Sequence, residues 1–183
     1  MDWVNNEMLL QKSVNRKLKE YREIVDLMKS AFPPEERLPV WWLVLIAKTK
    51  DVHFYAFYDD DRFCGITYTI ETENLIFLLY FAVSDRLRSN GYGSQIIDRL
   101  KDNSPEKEII LNVEKPDITA DNFNQRVRRI VFYERNNFYV CNFILSISGI
   151  DYNVLSTKRN PNIKEFGKIV SRYCIGHLKK IPD

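Results

Sequence analysis

The spacing of apolar and polar residues in the first third of the chain predicts helices. Residues Asn15 to Ala31 place apolar side chains at intervals of three and four, which indicates a helix ended by Phe32-Pro33-Pro34. The run from Val40 to Ala47 is apolar almost throughout. It predicts a second helix, with a strand as the alternative because of its tryptophans.

From His53 onwards the pattern becomes that of strands. The aromatic and β-branched segments HFYAFY and FCGITYTI flank Asp59-Asp60-Asp61, and this arrangement predicts an antiparallel hairpin. The run Leu75 to Val83 is continuously apolar, which is typical of a central strand buried on both faces.

A helix and a further strand follow this central strand. Ser94 to Leu100 has an apolar side and a polar side, as expected of an amphipathic helix, and Glu108 to Val113 reads as another buried strand. Strand, helix and strand in this order predict a βαβ unit with two parallel strands.

The last third of the chain predicts a further helix, a hairpin and a closing helix. The helix covers Arg126 to Arg135, a strand follows from Phe138 to Ile147, Val154 to Thr157 is its hairpin partner, and Ile163 to Leu178 closes the fold. The apolar side chains of the first of these helices that we expect to face inward are Val127, Ile130, Val131 and Phe132. Residues 1–183 are therefore predicted to form a single α/β domain, with helices on a mixed, mostly antiparallel sheet.

Composition and charge exclude several classes of protein. The 183 residues carry 27 Lys and Arg against 25 Asp and Glu, so a general nucleic-acid binder is not expected. No apolar run approaches the roughly 18 to 20 residues of a membrane-spanning helix, so no membrane partner is expected. Cys64, Cys141 and Cys174 form no CxxC pair, which disfavours structural zinc and suits a soluble cytoplasmic protein.

The segment Arg88-Ser89-Asn90-Gly91-Tyr92-Gly93 carries the most chemical information. It lies between the central strand and an amphipathic helix, where the free backbone N–H groups of a first helical turn attract an anion. The glycines allow a phosphate to approach closely, although a plain tight turn has the same sequence pattern. The GK[ST] of a P-loop is absent, so nucleotide hydrolysis is not expected.

Two segments together resemble one protein family. The stretch FAVSDRLRSNGYGSQIIDRL resembles the strand and [Q/R]xxGx[G/A] loop with which GNAT N-acetyltransferases bind acyl-CoA. Asn122, Gln125-Arg126, Phe132 to Arg135 and Phe138 are similar to the "N…FYE+xGF" segment of that family. The resemblance covers about Tyr21 to Ile147 and is less distinct over residues 150–183. It implies a single-domain GNAT-like fold in which the two parallel strands splay apart.

The resemblance also implies acetyl-CoA as the acyl donor, with no metal. Backbone groups of Phe81, Ala82 and Val83 would pair with the pantetheine arm. The backbone amides implied to hold the diphosphate belong to Arg88, Ser89, Asn90, Gly91, Tyr92, Gly93 and Ser94. The side chain of Asn122 would contact the cofactor, with a helix N-cap as the alternative role.

Tyr133 matches the family position that protonates the departing CoA thiolate, and a phenol can equally hold the sulfur by a hydrogen bond. Most of the ten tyrosines in this chain must nevertheless be packing residues. A base is also required, because the amine must lose a proton before it attacks. Glu114 is the first candidate base, with Glu35 and Glu36 as alternatives, and each of these could instead be a surface acid. Asn137 stands where the family has glycine, and asparagine tolerates a left-handed helix cap.

These features predict an N-acetyltransferase that moves an acetyl group from acetyl-CoA to a primary amine by direct attack in a ternary complex. The acceptor stays open between a small-molecule amine, such as a polyamine or an aminoglycoside, and a peptide N-terminus. Trp3, Trp41 and Trp42 either flank an acceptor pocket or pack in the core. A non-catalytic acyl-CoA-binding regulatory module is the alternative function, and a homodimer is compatible with the sequence.

Overall fold

The computed structural model of the chain describes residues 9–173 and 175–181, so Trp3 and Cys174 lie outside the described residues. The strands are β1 (Leu10–Ser13), β2 (Val52–Asp59), β3 (Arg62–Glu71), β4 (Leu75–Val83), β5 (Glu108–Glu114), β6 (Tyr139–Ile147), β7 (Ile150–Ser156) and β8 (His177–Lys180). The helices are α1 (Tyr21–Ala31), α2 (Val40–Ile46), α3 (Tyr92–Asp102), α4 (Phe123–Arg135) and α5 (Ile163–Arg172), and a 3-10 turn covers Asp85–Leu87. None of these helices is both long enough and apolar enough to cross a bilayer.

The described strands form one eight-stranded sheet in the order β1-β2-β3-β4-β5-β7-β6-β8. Strands β4 and β5 are parallel, whereas β5 with β7, β6 with β7, β6 with β8 and β1 with β2 are antiparallel. The prediction of a mixed, mostly antiparallel sheet flanked by helices is therefore confirmed.

The parallel pairing of β4 and β5 covers only part of each strand. It runs from Leu75 opposite Glu108 to Leu78 opposite Leu111. Beyond this stretch β4 continues to Val83, while β5 continues to Glu114 with its backbone paired to β7. The pairing is thus shorter than either strand, as expected of a splayed parallel pair.

The chain divides into two compact units. One contains the described residues up to Thr69 together with Tyr80–Pro105, and the other contains Ile70–Leu79 together with the described residues from Glu106 onwards. The expectation of a single domain over residues 1–183 stays a prediction.

The first unit is built on the apolar faces of helices and on β2 and β3. A cluster of Leu9, Phe57, Cys64 and Ile96 is fully enclosed. The other buried residues of its helices are Ile24, Leu27 and Met28 of α1, Val40 and Leu43 of α2, and Ile97 and Leu100 of α3. The apolar spacing read from the sequence places these side chains inward, as an amphipathic helix requires.

The second unit contains a buried carboxylate. Glu108, at the start of β5, is only 2% exposed. It accepts a hydrogen bond of 2.6 Å from Ser156 Oγ on β7 and one of 3.0 Å from the backbone N–H of Asn162. Asn162 is the N-cap of α5 and accepts a hydrogen bond from the backbone N–H of Glu165. One carboxylate thus joins β5, β7 and the start of α5.

Two element boundaries near the N-terminus differ from the sequence expectation. Helix α1 begins at Tyr21 rather than Asn15, because the Asn15 side chain accepts a hydrogen bond from the Lys17 backbone N–H, which stabilises a turn. Strand β1 was not predicted because it is short and mostly exposed, so it has no alternating pattern. The open choice between helix and strand for α2 is decided in favour of a helix.

The later part of the chain gives two further corrections. The closing helix ends at Arg172, and His177 and Leu178, which were predicted to belong to it, lie in strand β8. Around Gly176 the chain comes so close to β6 that a Cβ atom there would lie 2.2 Å from the Ser146 carbonyl oxygen. Val131 of α4 is 36% exposed rather than inward, and Tyr133 is the buried residue of that helix.

Substitution of Glu108 tests the role of this carboxylate in stability. Glu108→Ala leaves the Ser156 hydroxyl and the Asn162 N–H without their acceptor, and we expect a loss of about 2 to 4 kcal/mol of unfolding free energy in urea titrations. The matched control is Glu106→Ala at an exposed position nearby, which should change stability by less than about 0.5 kcal/mol. Equal stability of the two variants would contradict this assignment.

Candidate active site

The loop between β4 and α3 presents the backbone amides of a helix N-terminus. Its residues Ser89 and Gly91 have left-handed backbone conformations, with φ of 65° and 84°. Gly91 is the N-cap of α3, and no described side chain caps the helix. The first hydrogen bond of the helix is that from the Gln95 N–H to the Gly91 carbonyl, so the amides of the turn before it point outward. This is the arrangement that the sequence predicts for an anion site.

The loop between β4 and α3 is anchored to the core of the first unit and to the turn between β2 and β3. Leu87 and Tyr92 pack against the enclosed cluster of the first unit. The Tyr92 hydroxyl donates a 2.6 Å hydrogen bond to Asp59 Oδ2 in the turn between β2 and β3, and this bond raises the pKa of the Tyr92 phenol. The first residue of α3 is therefore fixed to a neighbouring hairpin.

The end of β4 lies unusually close to β3. A Cβ atom at Gly65 would lie 2.4 Å from the Ala82 carbonyl oxygen and 3.2 Å from the Val83 Cα. The Ser84 N–H donates a 2.8 Å hydrogen bond to the Cys64 carbonyl at the same point. Gly65 thus sets the position of the strand end that precedes the loop. The sequence signal for this close approach is a single glycine inside a strand pattern.

Arg88 contributes less free charge than its sequence position suggests. Its guanidinium forms a 2.5 Å ion pair with Asp85, three residues earlier. Both side chains are exposed, so the pair adds little to stability. The positive character of this loop therefore depends chiefly on its backbone amides.

Tyr133 lies in the second unit, near the C-terminal end of α4, and is 7% exposed. Its ring makes edge-on contacts with Phe132 at 5.1 Å and Phe138 at 5.5 Å between centroids. Burial raises the pKa of the phenol to about 12, while the nearby Arg129 opposes this shift. The hydroxyl is consequently a proton-bearing group at neutral pH.

Glu114, at the end of β5, belongs to an ion-pair network. Its carboxylate oxygens lie 3.3 Å from an Arg126 nitrogen and 3.7 Å from an Arg129 nitrogen. The Asn122 amide nitrogen makes a third contact with the carboxylate, at 3.5 Å. Two arginines of α4 are thus engaged by this carboxylate. Of the alternative acids, Glu35 is exposed and Glu36 is half-buried.

Asn122 is the N-cap residue of α4, but its side chain does not cap the helix. The amide oxygen instead accepts a 2.7 Å hydrogen bond from Arg126 Nε. At the other end of the helix, Asn137 has a left-handed φ of 59°, as the sequence predicted for this position.

The structure thus brings the predicted residues together in two sets. The loop from Arg88 to Ser94 and the strand end Phe81 to Val83 belong to the first unit. Glu114, Asn122 and Tyr133 belong to the second. Among the described residues, no group of histidine, cysteine and acidic side chains is arranged to hold a metal ion.

The tryptophans of α2 are exposed rather than packed in the core. Trp41 and Trp42 are 49% and 42% exposed, and their rings meet edge to face at 5.5 Å. Leu38 and Leu45 are exposed beside them in sequence. The short helix therefore presents an apolar surface.

Known proteins of one family are similar to this chain. The model of the acetyltransferase (GNAT) family matches residues 20–137. The chain belongs to the GNAT family of acetyltransferases. The resemblance seen in the loop and in the segment around Tyr133 is thereby confirmed at the level of the family. No curated protein matches the chain.

Solved structures share the GNAT fold over most of the chain. A protein from Bacteroides thetaiotaomicron assigned to the GNAT family is 20% identical, with a TM-score of 0.74 over 92% of this chain and 99% of that one. The aminoglycoside 6'-N-acetyltransferase from Enterococcus faecium is 15% identical, with a TM-score of 0.58 over 84% and 98%. A GNAT acetyltransferase from Elizabethkingia anophelis with acetyl-CoA bound is 11% identical, with a TM-score of 0.55 over 83% and 99%.

The close approach at Gly65 gives a stability prediction. Gly65→Ala forces a methyl group against the Ala82 carbonyl, and we expect it to destabilise the protein by about 1 to 3 kcal/mol in urea unfolding. Gly167→Ala is the matched control, because its Cβ would meet only a flexible Leu178 methyl at 3.7 Å. This helix substitution should stabilise the protein by about 0.5 to 1 kcal/mol. A Gly65→Ala protein as stable as the wild type would refute the proposed constraint.

Proposed function

We propose that the protein is an N-acetyltransferase that transfers an acetyl group from acetyl-CoA to a primary amine in a ternary complex. The observation that carries the proposal is the N-terminus of α3, where left-handed Ser89 and Gly91 leave a turn of outward amides without a side-chain cap. Membership of the GNAT family supports it, as does the acetyl-CoA bound to the Elizabethkingia relative.

The donor set of the loop fits the diphosphate of coenzyme A. The amides of Arg88 to Ser94 and the positive end of the α3 dipole favour a multiply charged anion. Gly91 has open space around it, because a Cβ there would meet only Gln95 Nε2, at 3.8 Å. An anion can therefore approach the backbone closely. Holding it requires no metal ion.

The strand end supplies the second proposed contact. Backbone groups of Phe81, Ala82 and Val83 are proposed to pair with the amides of the pantetheine arm, as an added strand pairs with a sheet edge. A backbone amide near Val83 would also stabilise the oxyanion that forms when the amine attacks the thioester. The contact predicted for the Asn122 side chain stays a prediction, since its amide oxygen is already bonded to Arg126.

Tyr133 is proposed to stabilise the departing thiolate by donating a hydrogen bond. Its raised pKa of about 12 shows that the phenol keeps its proton at neutral pH, so it can donate a hydrogen bond to the sulfur. Full transfer of that proton to the thiolate is the alternative role at this position. The raised pKa supports the hydrogen-bonding role.

The base that deprotonates the amine is less well supported. Glu114 is the predicted candidate, but its carboxylate already forms ion pairs with two guanidinium groups and a 3.5 Å contact with the Asn122 amide. These contacts leave fewer of the carboxylate's oxygen lone pairs for a substrate amine. The general-base role of Glu114 stays a prediction, and the contacts themselves support a role in fixing α4 to β5.

The acceptor is proposed to be a small-molecule amine or a peptide N-terminus. Trp41 and Trp42 of α2 are exposed, so of their two expected roles the flanking of an acceptor pocket is the one proposed. We further propose a cytoplasmic location, because Cys64 and Cys141 are free, buried thiols. Burial raises their pKa values to about 11 and about 12, which keeps both thiols protonated and unreactive.

A pair of substitutions at Gly91 tests the cofactor loop. Gly91→Val places a β-branched side chain at a left-handed position beside the proposed diphosphate, and we expect CoA binding in calorimetric titrations to weaken by at least about 100-fold. Gly91→Asn is the control, because asparagine tolerates this backbone conformation, and it should retain more of the affinity. Unchanged affinity in Gly91→Val would contradict the assignment of the loop.

Tyr133→Phe distinguishes an enzyme from a regulatory module. Removal of a hydrogen bond to a charged sulfur should lower kcat for CoA release by about 10- to 100-fold, with CoA affinity little changed. The measurement follows free thiol while spermidine, kanamycin, tyramine and a short peptide are offered as acceptors. Tyr139→Phe is the control, because it removes the hydroxyl of a half-buried tyrosine of β6, and it should retain full activity. Binding of CoA without release in the wild type would instead identify the non-catalytic module.

A further inference from the structure

An amide oxygen on β5 is buried without a hydrogen-bond partner. It is Oδ1 of Asn112, and within the described residues no donor reaches it. A buried carbonyl oxygen that lacks a partner is unfavourable, and native proteins rarely retain one without a reason. An oxygen of this kind can accept a hydrogen bond but cannot donate one, so it is suited to an N–H or O–H group.

Asn112 occupies a distinctive place in the strand. The parallel pairing of β4 and β5 ends at Leu111, so Asn112 is the first residue of β5 beyond it. Its backbone pairs with Val154 of β7 on the other edge of the strand. Because side chains alternate along a strand, Asn112 shares a face with Glu114. Arg126 and Arg129 of α4 contact Glu114, so this is the face that α4 covers.

The direction of α4 relates Asn112 to Tyr133. Strands β5 and β6 are both antiparallel to β7, so they run in the same direction and the connecting α4 runs opposite to them. Arg126 lies beside Glu114, and Tyr133 is about 10 Å further along the helix, since each residue rises about 1.5 Å. Asn112 is about 7 Å back from Glu114 along β5. Measured along the common axis of β5 and α4, Asn112 therefore lies between the Glu114 ion pairs and Tyr133.

We propose that Asn112 Oδ1 binds an N–H group of a substrate during acetyl transfer, which makes it a substrate-binding residue of the reaction. This inference rests on the function proposed above. The N–H group belongs either to the amine acceptor or to an amide of the pantetheine arm of CoA, because both present nitrogen donors. The ligand supplies the hydrogen bond that the folded protein alone leaves unmade, and the unfavourable buried oxygen is retained for that purpose.

A second buried polar atom without a partner provides a matched control for burial that serves no function. Thr67 Oγ1 on β3 is likewise buried without a described partner, and the residue is wholly inaccessible. It lies among core residues such as Ile66 and Tyr68, with no strand end or charged network beside it in sequence. A polar atom buried for no functional reason should behave like Thr67 when it is replaced by an apolar group of similar size.

The experiment compares Asn112→Val, Asn112→Asp and Thr67→Val in the full chain. Both valine variants should keep or raise the melting temperature, because each removes a buried polar atom without a partner. Only Asn112→Val should also weaken substrate binding, by about 10-fold. Asn112→Asp keeps an acceptor oxygen and should recover part of the loss. If Asn112→Val does not fold, Asn112→Ala removes the same oxygen without adding volume.

Two measurements distinguish the source of the N–H group. A weaker calorimetric Kd for CoA identifies the pantetheine arm. The acceptor is tested with whichever of spermidine, kanamycin, tyramine and a short peptide the wild type acetylates fastest. A raised KM for that compound, with an unchanged Kd for CoA, identifies the acceptor as the source of the N–H group. Both constants within twofold of the wild-type values would overturn the role of Asn112. If the wild type itself binds no CoA, the proposed function fails, and the role of Asn112 fails with it.

Discussion

The chain depends for its proposed chemistry on backbone amides that the fold leaves without partners. An α-helix cannot satisfy the N–H groups of its own first turn, and at α3 no described side chain does so. The left-handed Gly91 ends the preceding loop in a conformation that L-residues with a side chain adopt at a cost. Tyr92, bonded to Asp59, and Gly65, close to Ala82, fix the two sides of this loop. The proposed anion site is therefore preformed, which lowers the cost of ordering it when the anion binds.

In the second unit, acidic side chains removed from water are stabilised by paired partners. Charged groups brought out of water must be paired, and Glu114 is paired with Arg126 and Arg129, while Glu108 is paired with hydrogen-bond donors of β7 and α5. Tyr133 stays neutral because its burial disfavours the phenolate. The same low polarity that raises its pKa also strengthens a hydrogen bond that it donates to an anion. The burial of Tyr133 therefore both keeps the phenol neutral and strengthens its proposed hydrogen bond to the thiolate.

The sequence predicts those features that depend on local patterns. The bounds of β4 follow from a continuous apolar run, and the left-handed Asn137 follows from its place after a helix. What it does not predict depends on contacts distant in sequence. Strand β1 forms because β2 offers a partner, the predicted closing helix ends early where Gly176 passes β6, and the side chain of Asn122 is engaged by Arg126. The close approach at Gly65 and the unpartnered oxygen of Asn112 depend on neighbouring strands, so neither could be predicted from the local sequence.

The most direct test of the central claim is amide-resolved hydrogen exchange of the wild-type protein with and without CoA. Hydrogen bonds from the loop to a diphosphate would slow the exchange of the amides from Arg88 to Ser94, a segment of exposed and half-buried residues. We expect protection of these amides that increases with the CoA concentration and saturates. Unchanged exchange across this segment, at a CoA concentration that saturates binding elsewhere on the chain, would contradict the account.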